Sequence, residues 1–230
     1  MTMFCRFDLR TTDVESARAF YTTILGHDRA VIWPLHEQAL ARGARPHWLG
    51  QLGVEDVEGA TAAFVERGAA VLGPPRGTRD GGQIVVLRDP GGAVLALGTP
   101  RPASARAPTD VVWHVLNTNG AARAIDNYRD LFGWALTRTV DRGPEGVLQE
   151  FAWRPSGASA GGIIDISGRP GVHPHWLFFF EVTMLDAAID ATRASGGVAL
   201  EPITLPDGAR ACVCDDPQGA AFALRERPHS

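Results

Sequence analysis

Lysine is missing altogether: all 22 basic residues of this 230-residue chain are arginine. No Schiff-base lysine, pyridoxal-phosphate anchor, phosphate-loop lysine or lysine general base is therefore available. Cysteine is scarce as well. Cys5, Cys212 and Cys214 cannot all pair within the chain, and two of them stand a single residue apart, so no disulfide framework is implied and a reducing, cytoplasmic setting is expected. Long apolar runs are lacking too. Met1 to Arg10 carries charge early, and no stretch has the length of a signal-peptide core or a spanning helix, so no membrane partner is expected. Positive charge is in deficit, with 26 acidic residues against 22 basic ones and a net charge of -4. That removes the electrostatic case for nucleic acid.

What is present is a globular composition, 45% hydrophobic and 21% charged, enough to bury a core in one or two domains. It is organised by an internal repeat. Pro46-His47-Trp48-Leu49 recurs 128 residues later as Pro174-His175-Trp176-Leu177. Asp89-Pro90-Gly91-Gly92-Ala93 returns as Asp216-Pro217-Gln218-Gly219-Ala220, 127 residues on. Tyr21 to Gly26 answers Tyr128 to Gly133 at an offset of 107, so the two tyrosines of the protein are equivalent and the second half holds about 21 more residues after its first helix. Each half also repeats within itself, Asp13-Val14-Glu15 matching Asp56-Val57-Glu58. The chain reads as four related units in two pairs.

Local signals agree. Phe4 to Arg10 is a short apolar-rich strand, and Asp13 is placed to cap a helix that shows Ala17, Phe20, Tyr21 and Leu25 on one face and stops at Gly26. Strand, helix and several short strands then follow in each later unit. The helices are expected near Val57 to Glu66, Ala121 to Leu131 and Asp186 to Ala194. Three prolines and three alanines between Thr99 and Pro108 read as a linker. The expected division is a first domain over 1–100, a linker over 101–108 and a second domain over 109–230.

These residues resemble the glyoxalase / bleomycin-resistance / extradiol-dioxygenase (vicinal oxygen chelate) superfamily in its tandem form. The likeness rests on the Asp-capped helix with Phe20-Tyr21 and Leu25-Gly26, on Tyr128 with Leu131-Phe132-Gly133-Trp134, and on the Asp-Pro-x-Gly-Ala-x-x-x-Leu endings at Asp89 to Leu97 and Asp216 to Leu224. The resemblance implies an α+β fold of four βαβββ modules in two halves, with curved mixed sheets around a cavity. It also implies where a divalent metal would be held. The family's ligand positions fall on Arg6, Leu49 and Ala96 in the first half and on Trp113, Leu177 and Ala223 in the second. Five are apolar and the sixth is a cation, so neither the family's metal nor any other cofactor is expected there.

Other residues carry possible chemistry. His47 and His175 lie two positions from a lost ligand and would share its strand face, and Trp48 and Trp176 beside them offer flat apolar surfaces. A packing role is the simpler expectation for all four. Arg6 and Asp8 share a face of the first strand, where an inward arginine would attract an anionic or carbonyl group or pair with an acid. In the second half Trp113, with Phe179 in the run Phe178 to Phe180, makes the corresponding wall greasier. Glu150 and Asp165 are carboxylates available to an unconventional site. Gly157-Ala158-Ser159-Ala160-Gly161 fits a nucleophile-elbow pattern but lacks the strand before and helix after that the elbow needs. Cys212 and Cys214 point the same way on a strand, where buried packing is expected.

The resulting expectation is a monomer or homodimer that binds a small apolar or aromatic molecule without metal, after the metal-free antibiotic-binding members of the family. The alternative is a lyase, isomerase or dioxygenase-type enzyme with a displaced metal or none, using His47, His175, Glu150 or Asp165 as acid or base.

Overall fold

Helix and strand signals recur four times along the chain, and a computed structural model of it, describing residues 1–78, 81–100, 110–205 and 207–227, shows the four modules in that order. The linker expected at 101–108 lies outside the described residues. The first module is β1(Phe4–Thr11), α1(Val14–Leu25), β2(Val31–Pro34) and a short α2(Glu37–Ala41). The second is β3(His47–Gly53), α3(Val57–Glu66), β4(Ala70–Val71), β5(Arg76–Gly77), β6(Gln83–Arg88) and β7(Val94–Gly98). The third is β8(Val111–Thr118), α4(Ala121–Phe132), β9(Ala135–Asp141), β10(Val147–Ala152) and β11(Gly161–Asp165). The fourth is β12(His175–Val182), α5(Leu185–Ala194), β13(Val198–Ala199), β14(Ile203–Thr204), β15(Arg210–Asp215) and β16(Ala221–Glu226).

The α+β class is as the resemblance implies, with one difference in detail. The first module is shortened: where the third continues into β10 and β11, the first turns into α2, whose amino end is capped by His36 accepting from Gln38. The missing strands match the 21-residue deficit, and the polar, helix-favouring run Glu37-Gln38-Ala39-Leu40-Ala41 has no alternating pattern to support a strand.

Helix ends are set as the caps predict. Asp13 accepts from Ser16 N at 3.0 Å and Gly26 closes α1 in the left-handed region, φ 73°. Asp56 accepts from Gly59 N at 2.9 Å. For α4 the cap comes from far along the chain: Asp165, at the end of β11, accepts from Gly120 N at 3.1 Å and Ala121 N at 2.8 Å. A carboxylate there fills orphan amides at the positive end of the helix.

Contacts group the modules otherwise than in chain order. One unit comprises Met1–Arg6, Gly50–Thr109 and His114–Trp176, essentially the second and third modules. In it β3 runs parallel to β7, β7 antiparallel to β6, and β6 antiparallel to β4 and β5. Likewise β8 runs parallel to β11, which continues antiparallel through β10 to β9. The other unit comprises Phe7–Leu49, Asp110–Trp113 and Leu177–Ser230, essentially the first and fourth modules. There β1 runs parallel to β2, and β12 runs parallel to β16, followed by antiparallel β15 with β13 and β14 at its far side.

Each unit is tied by the same tyrosine-to-aspartate relay, with a tryptophan edge-on to the tyrosine ring. In the unit of the first and fourth modules, Trp48 Nε1 donates to the Tyr21 hydroxyl at 2.9 Å, and that hydroxyl donates to Asp216 Oδ2 at 3.1 Å. In the other unit the Tyr128 hydroxyl donates to Asp89 Oδ2 at 3.1 Å, and Trp176 packs edge-on against the Tyr128 ring, the centroids 5.7 Å apart. The remaining oxygen of each aspartate shapes the Asp-Pro turn. Asp89 Oδ1 accepts from Gly91 and Ala93, and Asp216 Oδ1 accepts from Gln218 and Ala220. Both tyrosines and both aspartates are buried. Burial raises the carboxyl pKa of Asp89 and Asp216 and, with the neighbouring aspartate, raises the phenols well above their usual value.

Candidate ligand site

A strand shows alternate residues to alternate faces, so register fixes what lies opposite the helices. On β16, Phe222 packs on Phe20 and Tyr21 of α1, which places Ala221, Ala223 and Arg225 on the other face. Register pairs Ala223 with Phe179 and Arg225 with Glu181 on β12, and Ala223 with Val213 on β15. This face therefore carries the second half's family positions.

Their occupants do not make a metal centre. Leu177 and Ala223 are buried apolar side chains. Above Trp113 lies a cation, the Arg225 guanidinium carbon standing 5.8 Å from the ring centroid. Among the described residues no three or more His, Cys, Asp or Glu side chains are grouped to hold a metal ion. In the first half, Arg6 is half-buried on β1, and Leu49 and Ala96 are buried on β3 and β7. A divalent cation does not fit this donor set, since it needs three or four N, O or S ligands and repels guanidinium.

Arg225 is held on one side only. Its Nη2 pairs with Asp207 Oδ2, while Asp207 Oδ1 is taken by Ala209 N at 3.1 Å. Its other acidic neighbour, Glu181, is committed elsewhere: Oε1 accepts from Arg227 Nε at 2.8 Å and Nη2 at 2.7 Å. The Arg225 side chain is 15% exposed, and its Nε is buried with no hydrogen-bond partner. An unfilled buried N–H on a cation is costly by about 1–3 kcal/mol.

The other candidates sit in structural roles. His47 and His175 repeat one contact: Nδ1 bonds the carbonyl two residues back, Arg45 O at 2.7 Å and His173 O at 2.8 Å, stapling the turn before the strand. Asn117 Nδ2 stands 3.4 Å from His175 Nε2, and burial lowers the His175 pKa to about 4. Trp48 and Trp176 are buried against the rings of Tyr21 and Tyr128, and Phe179 is buried beside Ala223 on the neighbouring strand. Asp8 pairs with Arg10 at 3.3 Å, and buried Glu150 with Arg138 at 2.6 Å. Asp165 serves as the α4 cap and also bonds Ser167, which together lower its pKa. Ser159 lies in the loop before β11 and meets Thr137 at 2.6 Å, so no elbow forms. The Cys212 and Cys214 sulfurs are 3.7 Å apart, on the face opposite Ala223.

Within the second unit the structure thus brings Trp113, Leu177 and Phe179 to one sheet face and leaves Trp48 on the other side; Arg6, Glu150, His175 and Trp176 belong to the first unit. Arg225 and Asp207 are absent from the sequence-level candidates. Strand period alone would have found Arg225, two residues past the last family position and on the same face. Asp207 comes from a loop, and nothing in the sequence points to it.

Fold, repeat and ligand positions together define a class. The model of the Glyoxalase/Bleomycin resistance protein/Dioxygenase superfamily matches residues 111–224, and the chain belongs to that superfamily. In particular, it is 30% identical over 244 residues to "Putative glyoxylase CFP32" of Mycobacterium tuberculosis, covering 94% of this chain and 92% of that protein. It is 29% identical over 132 residues to the anthracycline biosynthesis protein DauV of Streptomyces sp. (strain C5), covering 51% of this chain and 47% of that one. A solved structure of a homoprotocatechuate 2,3-dioxygenase variant from B. fuscum superposes with a TM-score of 0.67 at 15% identity, over 99% of this chain and 72% of that one. That last likeness concerns the fold.

Proposed function

We propose that this protein binds a small, largely apolar or aromatic molecule on the second half's sheet face, without the family's metal. One observation carries the reading: the positions that would hold the metal are Trp113 beneath the Arg225 guanidinium, Leu177 and Ala223. Stacking and apolar contact are what such a wall offers a ligand. Binding is favoured over acid–base chemistry because His47, His175, Glu150 and Asp165 are each engaged in a local turn, ion pair or cap. The names of the relatives, a glyoxylase and an anthracycline biosynthesis protein, leave the reaction class of the family open.

The test is elemental analysis of untagged protein together with a thermal-shift and tryptophan-fluorescence screen of neutral and charged aromatic compounds. The expected result is well under one transition metal per chain and stabilisation by some aromatic compounds. One equivalent of bound metal, or no response to any compound, overturns the proposal.

A further inference from the structure

We infer that the ligand carries an anionic oxygen, a carboxylate, sulfonate or phenolate attached to its aromatic body, and that Arg225 receives it. This rests on the binding reading above and sharpens it. Arg225 is a cation on that sheet face, fixed over Trp113 and tethered through Nη2 to a single oxygen of Asp207. Nε and Nη2 form the side edge of a guanidinium, the edge that meets a carboxylate with two parallel hydrogen bonds. Here Asp207 fills only the Nη2 half, because its second oxygen is held by Ala209 N. The Nε half stays buried and unfilled, and the Oε1 oxygen of Glu181 is held by Arg227. A ligand oxygen at this edge completes the fork, with the ring of the ligand left against the apolar wall of Leu177, Phe179 and Val213.

The equivalent place in the first half lacks the device. By the 127-residue offset Arg225 corresponds to Gly98, and the space a side chain would take there is filled by Gln51, which reaches Thr99 O at 3.4 Å. The anion site therefore belongs to the second half alone.

Two dyes that share a ring skeleton test this: anionic 1-anilinonaphthalene-8-sulfonate and neutral N-phenyl-1-naphthylamine, titrated by fluorescence against the intact chain. The anionic dye should bind about tenfold or more tightly, the range expected for a hydrogen bond to a charged group. Arg225→Met should bring the two affinities to within about threefold by weakening only the anionic dye. Asp207→Asn should tighten the anionic dye several-fold, since a competing carboxylate is removed, and leave the neutral one unchanged. Arg18→Met, which deletes an exposed arginine paired with Asp28, should alter neither, separating the site from net charge. If Arg225→Met retains the anionic preference at a native melting temperature, the inference falls while binding of neutral aromatics stands. Should Arg225→Met fail to fold, an unchanged anionic affinity in Asp207→Asn overturns it. If neither dye binds, the binding reading itself fails and this inference with it.

Discussion

The two sides of the sheets in this duplicated chain have had different histories. Beneath the helices the copies match residue for residue: Trp48, Tyr21 and Asp216 repeat as Trp176, Tyr128 and Asp89, with the same 3.1 Å phenol-to-carboxylate bond. On the opposite face they diverge. Gln51, Ala96 and Gly98 in one half stand where Phe179, Ala223 and Arg225 stand in the other. Repetition marks what holds the modules together, and departure from repetition marks where a ligand site can be built. The family signature lies wholly in the first category, which is why it specifies a fold and no reaction.

The comparison can be broken most directly by deleting the relay rings. Tyr21→Ala and Tyr128→Ala should each cost about 3–5 kcal/mol, the range for large-to-small aromatic changes in a core, measured by denaturant unfolding. A loss below about 1 kcal/mol in either would show that the two relays are not equivalent. Acid sharpens the difference between the units next. Burial lowers the pKa of His114 and His175, both in the first unit, to about 4. A depressed histidine pKa means that the unfolded chain takes up a proton which the folded one refuses, so stability is full above about pH 6.5 and declines as pH falls toward 4. For His114 this amounts to at most about 3 kcal/mol. His114→Asn, which keeps a donor toward Ala160 O, should flatten that slope between pH 6.5 and 4; an unchanged slope would assign acid sensitivity elsewhere.

Smaller effects follow. Tyr21→Phe and Tyr128→Phe retain the ring but strand a buried carboxylate oxygen, at about 1–3 kcal/mol each, with similar values expected because the geometry is the same. Values differing by more than about 1 kcal/mol would break the equivalence at the level of the hydroxyl. Asp165→Ala should cost about 1 kcal/mol through loss of the α4 cap, and Asp165→Asn about half of that or less, with dye binding unchanged in both. A loss of binding in Asp165→Asn would return that carboxylate to the list of ligand contacts.

Much of this architecture is legible in the sequence because the repeat, the caps and the Asp-Pro turns are local signals with fixed spacing. Asp13, Asp56, Gly26 and the positions of α3 and α4 are of that kind. Two kinds of feature are not. The strand β9, Ala135–Asp141, is mostly exposed and bears no apolar alternation, so periodicity passes over it. The partners of Tyr21 and Tyr128 are also hidden, since nothing in a linear reading says that a helix of the first module answers a turn of the fourth. For the site, the period of a strand carries Phe179 and Trp113 correctly to the sheet face, and the same rule applied two residues further reaches Arg225. The histidines and tryptophans that invite a functional reading are drawn by their neighbours into turns and cores instead.

The bond between Tyr21 and Asp216 joins residues 195 positions apart. During synthesis the unit holding the second and third modules is complete once residue 176 has emerged, whereas α1 must wait for β15, β16 and the turn between them. Through most of translation Phe20 and Tyr21 thus have Trp48 beside them but not Phe180, Phe222 or Asp216, and closing so long a loop is slow. The ribosome-bound chain should accordingly depend on chaperones until its last strands appear, and truncation just before Asp216 should yield an aggregating product rather than a smaller stable one.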